Sequence, residues 1–274
     1  MKLITSSFEI LEQTPGIQGV KKQIERAGRT CYKSEDKITD TSCEEFVSRM
    51  VNSGHGAMLE HGTVYLQIPF KYIDISTKLE IPIIEDLVFK YTENKYSRCV
   101  TINHVAYITT NYRVLVENGW LDDLQYQCEP TEYHEKRITV KFILPISISR
   151  EFIRHRTASF AEQSTRYCNY SKSKFNGELT FIKPYWYDQY KEEFESSCQY
   201  YEDTYMMAIE SGLKAQEARE LLPLCTKTEL VMTAFISDWE HFFKLRCHST
   251  AHPQARELAI PLKEEFIKKG LING

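Results

Sequence analysis

Apolar positions recur at helical spacing early in the chain: Val20, Ile24 and Ala27 share one stripe of the segment Gly19–Arg29, which then gives way to Thr30-Cys31-Tyr32. A second helix is predicted from about 42 to 53. Thr41 and Ser42 stand in capping register with Glu44 and Glu45, Phe46, Met50 and Val51 form its apolar stripe, and Gly54 follows as a stop. That helix delivers the loop His55-Gly56-Ala57-Met58-Leu59-Glu60-His61. The pattern then changes period. Thr63–Pro69 and Ile138–Pro145 have the β-branched and aromatic character of strands ended by proline, and His104–Thr109 and Tyr112–Val116 read as further strands before the turn Glu117-Asn118-Gly119.

Beyond residue 145 the pattern reads as helical. Pro145 can open a helix, because its missing N–H would be unpaired there anyway, with Ile146, Ile148, Phe152 and Ile153 turned inward. Helices are expected at about 188–211, closed by Gly212, at 214–222 before Pro223, at 227–246, and at 254–269 after Pro253. The strands thus fall before residue 150 and the C-terminal half is mainly helical. One domain over 1–274 is expected, with a strand-rich segment at about 70–137 inserted in it.

Composition narrows the chemistry. A chain of 274 residues can bury a sizeable core, and a net charge of -4 gives no global attraction to nucleic acid or to an anionic membrane. Any phosphate chemistry must therefore come from local clusters of arginine. Eight cysteines lie scattered with no Cys-x-x-Cys pair, which reads as free thiols in a reducing cytosol. No stretch approaches the roughly 18 apolar residues of a membrane span, and no apolar leader follows Met1-Lys2.

One such cluster exists. Arg154-His155-Arg156-Thr157-Ala158-Ser159-Phe160-Ala161-Glu162-Gln163-Ser164-Thr165-Arg166 crowds cations and hydroxyls into one short stretch, and arginine's planar fork of donors fits phosphate oxygens in bidentate fashion. Neighbours on a helix point about 100° apart, so Arg154, His155 and Arg156 cannot all face one ligand on an unbroken helix. They can serve two ligands, or they can form a solvated basic helix end. Ser164 and Arg166, at alternate positions, would face the same way in extended chain and could grip one phosphate. Metal binding is weakly indicated: His55, Glu60 and His61 lack the helical His-Glu-x-x-His spacing, and Cys247, His248 and His252 lack a fourth ligand.

The ordered blocks resemble the flavin-dependent thymidylate synthases. Arg154-His155-Arg156 followed by Ser164 looks like their signature, and four further blocks occur in the family's order. These are Arg29-Thr30-Cys31-Tyr32, His55 to His61, Ala218-Arg219-Glu220-Leu221-Leu222-Pro223-Leu224, and Trp239 to Arg246 with Ala251-His252. Residues 20–65 and 138–265 carry the resemblance, which leaves about 70–137 as a long insertion.

The resemblance implies an α+β fold with a central antiparallel sheet flanked by helices, and a homotetramer whose flavin sites several subunits share. It implies methylene transfer from methylenetetrahydrofolate to dUMP, with FAD carrying electrons that NADPH supplies, in the cytoplasm. Uracil C5 is a poor nucleophile, so charge collecting near N3 and the carbonyl oxygens must be stabilised. A fixed guanidinium does this without proton transfer. Arg246 matches the family's arginine at the pyrimidine; Glu162, Ser164, Arg166 and Arg219 match its nucleotide site. Arg154, His155 and Arg156 match its FAD contacts, with His55, Glu60 and His241 beside the flavin. Ser164 binds rather than attacks, because no neighbouring base is evident to activate it.

Some positions depart from the family pattern. Glu151 stands where many members carry a phosphate-contacting glutamine, and its carboxylate would repel the ligand unless an arginine pairs with it. Ser237 replaces an arginine that reaches FAD, Cys31 a common serine and Ala161 a common asparagine, and Phe235 and His241 lie at variable positions. These departures leave open an alternative: a catalytically impaired nucleotide-binding homologue of the same fold. A basic nucleic-acid-binding module is a third reading, which the negative net charge disfavours.

Overall fold

The computed structural model describes residues 1–69 and 85–274. Its strands are β1 (Lys2–Ile4), β2 (Ser7–Leu11), β3 (Thr63–Pro69), β4 (Arg98–Ile102), β5 (Val105–Asn111), β6 (Arg137–Pro145), β7 (Ser159–Glu162), β8 (Thr180–Ile182) and β9 (Lys227–Phe235). The helices are α1 (Gly16–Tyr32), α2 (Ser42–Asn52), α3 (Gly56–Leu59), α4 (Glu85–Thr92), α5 (Tyr112–Asn118), α6 (Ile146–Phe152), α7 (Lys191–Glu210), α8 (Ala215–Ala218), α9 (Ile236–Arg246) and α10 (Pro253–Lys268). The architecture is α+β.

Its centre is a four-stranded antiparallel sheet in the order β2-β6-β9-β7. Helices cover both faces. Val140, Phe142, Leu144, Leu230, Met232 and Ala234 pack against Phe152 of α6, Trp239, Phe242 and Phe243 of α9, and Leu258, Leu262 and Phe266 of α10. On the opposite face Leu11, Ala161 and Val231 meet Ala27 of α1 and Met58 of α3. A second sheet, β3-β5-β4, shares a core with α1 and α2 through Val20, Ile24, Phe46, Val64, Leu66 and Ile108. A third cluster joins β8, α7 and α8 around Phe181, Phe194, Tyr205 and Ala218, and β1 pairs with β8 in parallel.

The helix expected at 227–246 is instead strand β9 followed by helix α9. Eight of the nine β9 residues, Thr228 to Phe235, are buried. A central strand covered on both faces reads as a continuous apolar run without alternation, and periodicity cannot separate that from a buried helix. Strands β7, β8 and β9 therefore all lie beyond residue 150. Tyr112–Val116 is not a strand: it belongs to α5, whose N-cap Asn111 accepts the Val114 N–H on its side chain. The stretch expected as one helix at 214–222 is the single turn α8 followed by a 3-10 turn over Arg219–Leu221. Helices α2 and α10, and strands β3 and β6, lie where the pattern predicts them.

The segment expected as an insertion, about 70–137, lies partly outside the described residues. Its described part supplies β4, β5, α4 and α5, and through β5 it pairs with β3 along the whole length of that strand. No helix among the described residues is long and apolar enough to cross a membrane.

Candidate functional site

Two helices that follow central strands bring their C-terminal ends together. Strand β6 runs through Pro145 into α6, and β9 runs directly into α9. Phe142 lies 5.2 Å from Phe152, and Phe152 lies 4.9 Å edge-to-face from Phe242, so the two helices are locked through aromatic contacts. Beyond that lock, Arg246 at the end of α9 reaches α6. Its Nη1 donates to Glu151 Oε2 at 2.8 Å, its Nη2 to the Glu151 carbonyl at 2.6 Å, and its Nε to His155 Nε2 at 3.1 Å. All three guanidinium nitrogens are thus fixed.

The carboxylate of Glu151, which alone would repel an anionic ligand, is the ion partner of Arg246. Burial lowers the Arg246 pKa and Glu151 opposes that shift. His155 is pushed down to about 4 by burial, then by the charges of Arg246 and His241, whose ring lies 6.0 Å away. The neutral ring therefore accepts the Arg246 Nε–H at Nε2 and carries its own hydrogen on Nδ1.

Next to α6 lies a cleft of about 510 Å³, lined by Ser149, Arg150, Ile153, Glu162, Gln163, Ser164, Thr165 and Arg219 among others. Strand β7 carries Glu162 to its edge. Burial raises the Glu162 carboxyl pKa, and the Ser149 hydroxyl and the Arg150 charge work against the rise. The chain then turns sharply: Tyr167 and Cys168 donate their N–H groups to the Ser164 carbonyl, and the Ser164 N–H is held by the Cys31 carbonyl at 2.9 Å. The turn explains why Ser164 and Arg166 part. Ser164 Oγ accepts the Arg166 N–H at 3.3 Å, while the Arg166 guanidinium lies toward Gln216 and over the Tyr167 ring. Arg219 enters the cleft from the 3-10 turn after α8, paired among the described residues only with its neighbour Glu220 at 3.2 Å.

The structure therefore brings Glu162, Ser164 and Arg219 to one cleft and adds Arg150, which the sequence did not single out. The residue could have been found: it lies four before Arg154, one helical turn back in α6.

The other expected group is more dispersed. Arg154 and Arg156 are exposed in the turns that follow α6 and have no carboxylate partner among the described residues, whereas His155 is buried. His241 is exposed on α9. His55 precedes the short helix α3 and lines a smaller cavity of about 410 Å³ with Cys31, Tyr32, Gly54, Gly56, Ala57, Met58 and Arg113. Gly54 adopts φ +70°, a left-handed turn that glycine accommodates without a Cβ penalty. At Gly56 a Cβ would stand 2.8 Å from Arg113 Nε, so α5 presses directly on this loop. Glu60 is not a free carboxylate, since Arg113 Nη1 donates to it at 2.6 Å.

Behind the loop sits a second arginine that sequence reading missed. Arg137 is buried and donates to the Glu60 carbonyl, Thr63 Oγ1 and Ser159 Oγ, while its Nε has no partner among the described residues. Burial lowers its pKa to about 10, which leaves it charged near neutrality. Ser237 is exposed, and its N–H and hydroxyl both donate to Glu135 Oε1.

Helix α6, entered from β6, thus delivers Arg150 to the cleft, and the 3-10 turn after α8 delivers Arg219. The family model described as thymidylate synthase complementing protein matches residues 88–269, and the chain belongs to that family. A flavin-dependent thymidylate synthase of Geobacter sulfurreducens is 30% identical over 118 residues, covering 42% of this chain and 49% of the relative. The enzyme of that name from Pyrococcus furiosus is 32% identical over 124 residues, or 44% of this chain and 50% of the relative. The chain spans about half the length of the curated relatives it matches. Among solved structures, a UMP/dUMP methylase from Streptomyces cacaoi bound with 5-Br dUMP aligns over 98% of this chain and 93% of its own, at TM-score 0.46 and 17% identity.

Proposed function

We propose that the chain is a flavin-dependent thymidylate synthase that methylates dUMP, with methylenetetrahydrofolate as carbon donor and NADPH as reductant. The observation that carries this reading is the Arg246 guanidinium, fixed at three nitrogens by Glu151 and His155 at the end of α6, the helix whose Ser149 and Arg150 line the cleft. A pyrimidine that gains electron density at C5 gathers charge near N3 and its carbonyl oxygens. A guanidinium oriented in advance stabilises that charge without reorganising. Glu162, Ser164, Arg150 and Arg219 hold the nucleotide, with the arginines and the Ser164 hydroxyl on its phosphate.

FAD, when bound, carries the electrons that reduce the transferred methylene to a methyl group. The chain's own residues fit it. Arg154 and Arg156, with no carboxylate partner among the described residues, offer cations for a diphosphate, and His55 lines the cavity beside α3, where the lining residue Arg113 holds Glu60. Exposed arginines at a helix end suit a cofactor shared between subunits of a homotetramer. Eight unpaired cysteines suit a reducing cytosol.

The test is a spectrum and an assay. Purified protein should be yellow, or become so when reconstituted with FAD. It should oxidise NADPH and release the C5 hydrogen of dUMP only when dUMP is present. A protein that binds dUMP but shows no hydrogen release is the catalytically impaired homologue instead.

A further inference from the structure

Two thiols meet where the long helix α7 packs on the entrance to β9. Cys198 of α7 is buried, and Cys225, which precedes β9 by two residues, is half-buried. Both pack in the cluster around Phe181, Phe194 and Tyr205, and the Cys198 thiol donates a hydrogen bond to Cys225. The same two residues line a cavity of about 820 Å³. Tyr185, Trp186 and Tyr190 line it as well and are exposed, so the cavity reaches the surface and a small solute can enter it.

The two sulfurs are not equivalent. The bond from Cys198 holds the Cys225 pKa below the ordinary thiol value against the opposing effect of burial, whereas the same bond and burial push Cys198 up. Burial pushes up the other six thiols too. Thiolate is the reacting form, so the geometry makes Cys225 the nucleophile and Cys198 the thiol that resolves it.

Cys225 also belongs to a stretch that builds the cleft beside α6. Arg219, Leu222 and Leu224 line that cleft, and Leu224 lines the aromatic cavity on its other side. The Leu224 and Thr226 carbonyls accept the N–H groups of Ser147 and Ile146 at 3.1 and 3.0 Å, which fixes the start of α6. A covalent bond from Cys225 to α7 would therefore anchor the segment that carries Arg219.

We propose that Cys198 and Cys225 are a redox-active dithiol, which a peroxide closes to a disulfide that tethers the stretch 219–225 to α7. The Cys225 thiolate attacks one oxygen of hydrogen peroxide: the S–O bond forms, the O–O bond breaks, and the departing hydroxide takes up the proton that Cys225 had released. The Cys198 sulfur then attacks the Cys225 sulfenic acid. The S–S bond forms, the S–O bond breaks, and the hydroxyl leaves as water with the Cys198 proton. Two thiols are oxidised and one peroxide is reduced to two waters.

The experiment treats the full chain, first reduced with dithiothreitol and desalted, with hydrogen peroxide in small excess. Intact-mass spectrometry after alkylation should show one pair of cysteines protected from the alkylating agent. A non-reducing digest should contain the Cys198 peptide joined to the Cys225 peptide, and dithiothreitol should separate them. Amide hydrogen exchange over 222–226 should slow by about tenfold in the oxidised protein, because the tether suppresses local opening there. Cys198→Ala, which keeps a small apolar group in the cluster, should stop at a Cys225 sulfenic acid that dimedone traps. A cross-link between other cysteines, oxidation of Cys225 to the sulfinic acid without any cross-link, or unchanged exchange over 222–226 would each overturn the proposal. The digest of the parent protein needs no variant, so it decides the pairing even where Cys198→Ala fails to fold. None of these readouts needs turnover, and the dithiol stands or falls separately from the thymidylate synthase reading.

Discussion

Arg246 and Glu151 are joined twice, by a charge-assisted bond between side chains at 2.8 Å and by a bond from the second guanidinium nitrogen to the Glu151 carbonyl at 2.6 Å. One residue thus orients the arginine with both its side chain and its backbone. Removing the arginine should lower turnover by a factor on the order of 10² to 10³, the loss seen when a fixed donor to a developing charge is deleted. Arg246→Ala protein should still carry flavin, because Arg154, Arg156 and the cavity beside α3 remain even though His155 loses one hydrogen bond; steady-state kinetics and the flavin spectrum check both halves.

Glu151→Gln tests the carboxylate itself. The amide keeps a hydrogen bond to Arg246 but removes a negative charge beside the anionic nucleotide. Affinity for dUMP should rise by about fivefold, equivalent to about 1 kcal/mol, at low ionic strength, and the gain should fade with added salt. Calorimetric titration with dUMP at two salt concentrations reads it out; unchanged or weakened binding would show that the carboxylate does not repel the ligand.

His155 makes stability sensitive to acid. Its pKa is about 4 in the folded protein, set by burial and then by Arg246 and His241, against 6.5 when unfolded. Between those values the unfolded chain binds more protons, so stability falls as pH drops from about 6.5 to 4 and levels off below. Buried His61, at about 3, extends the loss further into acid. The His155 contribution should reach about 3 kcal/mol at most. Urea midpoints measured across this range should flatten in His155→Gln relative to the parent protein.

Glu229 lies buried on β9 within reach of Lys33, Lys141 and Lys227. Burial by itself would raise its pKa, but Lys227 and Lys141 overcome this and hold the carboxyl at about 2. Glu229→Gln leaves three clustered cations without their common partner and should cost about 3 to 5 kcal/mol. A fall in Tm on the order of 10 °C is expected by calorimetry. A shift of only a degree or two would mean that the lysines relax freely into solvent.

Arg113 holds Glu60 from α5 while also bonding Glu117 at 2.7 Å. Arg113→Ala should free the Glu60 carboxylate toward the cavity beside α3 and lower the flavin bound per chain several-fold. Absorbance at the flavin maximum, normalised to protein, measures it. Flavin content equal to the parent's would remove the pair from the cofactor site.

Much of this was legible in the chain. The amphipathic stripe of α2, the proline that opens α6 and the crowding of Arg154, His155, Arg156 and Ser164 all depend on neighbours in sequence, and the pattern displays them directly. Strand β9 was not legible, because its burial comes from β6, β7 and helices on both faces. Helix α5 has the local pattern of a strand, because β-branched and aromatic residues favour strands, while the Asn111 cap and the core make it a helix.

Residue identity along the chain sets which cations, hydroxyls and titratable groups are available, and in what order. Which of them meet is set by packing between distant segments. Arg246 and Glu151 are separated by 95 positions, and no local propensity records their pairing. It arises because β6 and β9 lie side by side and the Phe142, Phe152 and Phe242 contacts bring the ends of α6 and α9 together. The turn at Ser164, pinned by the Cys31 carbonyl, likewise sent Arg166 away from the cleft that Arg150 and Arg219 line. Side-chain identity is written along the chain, but proximity is a property of packing.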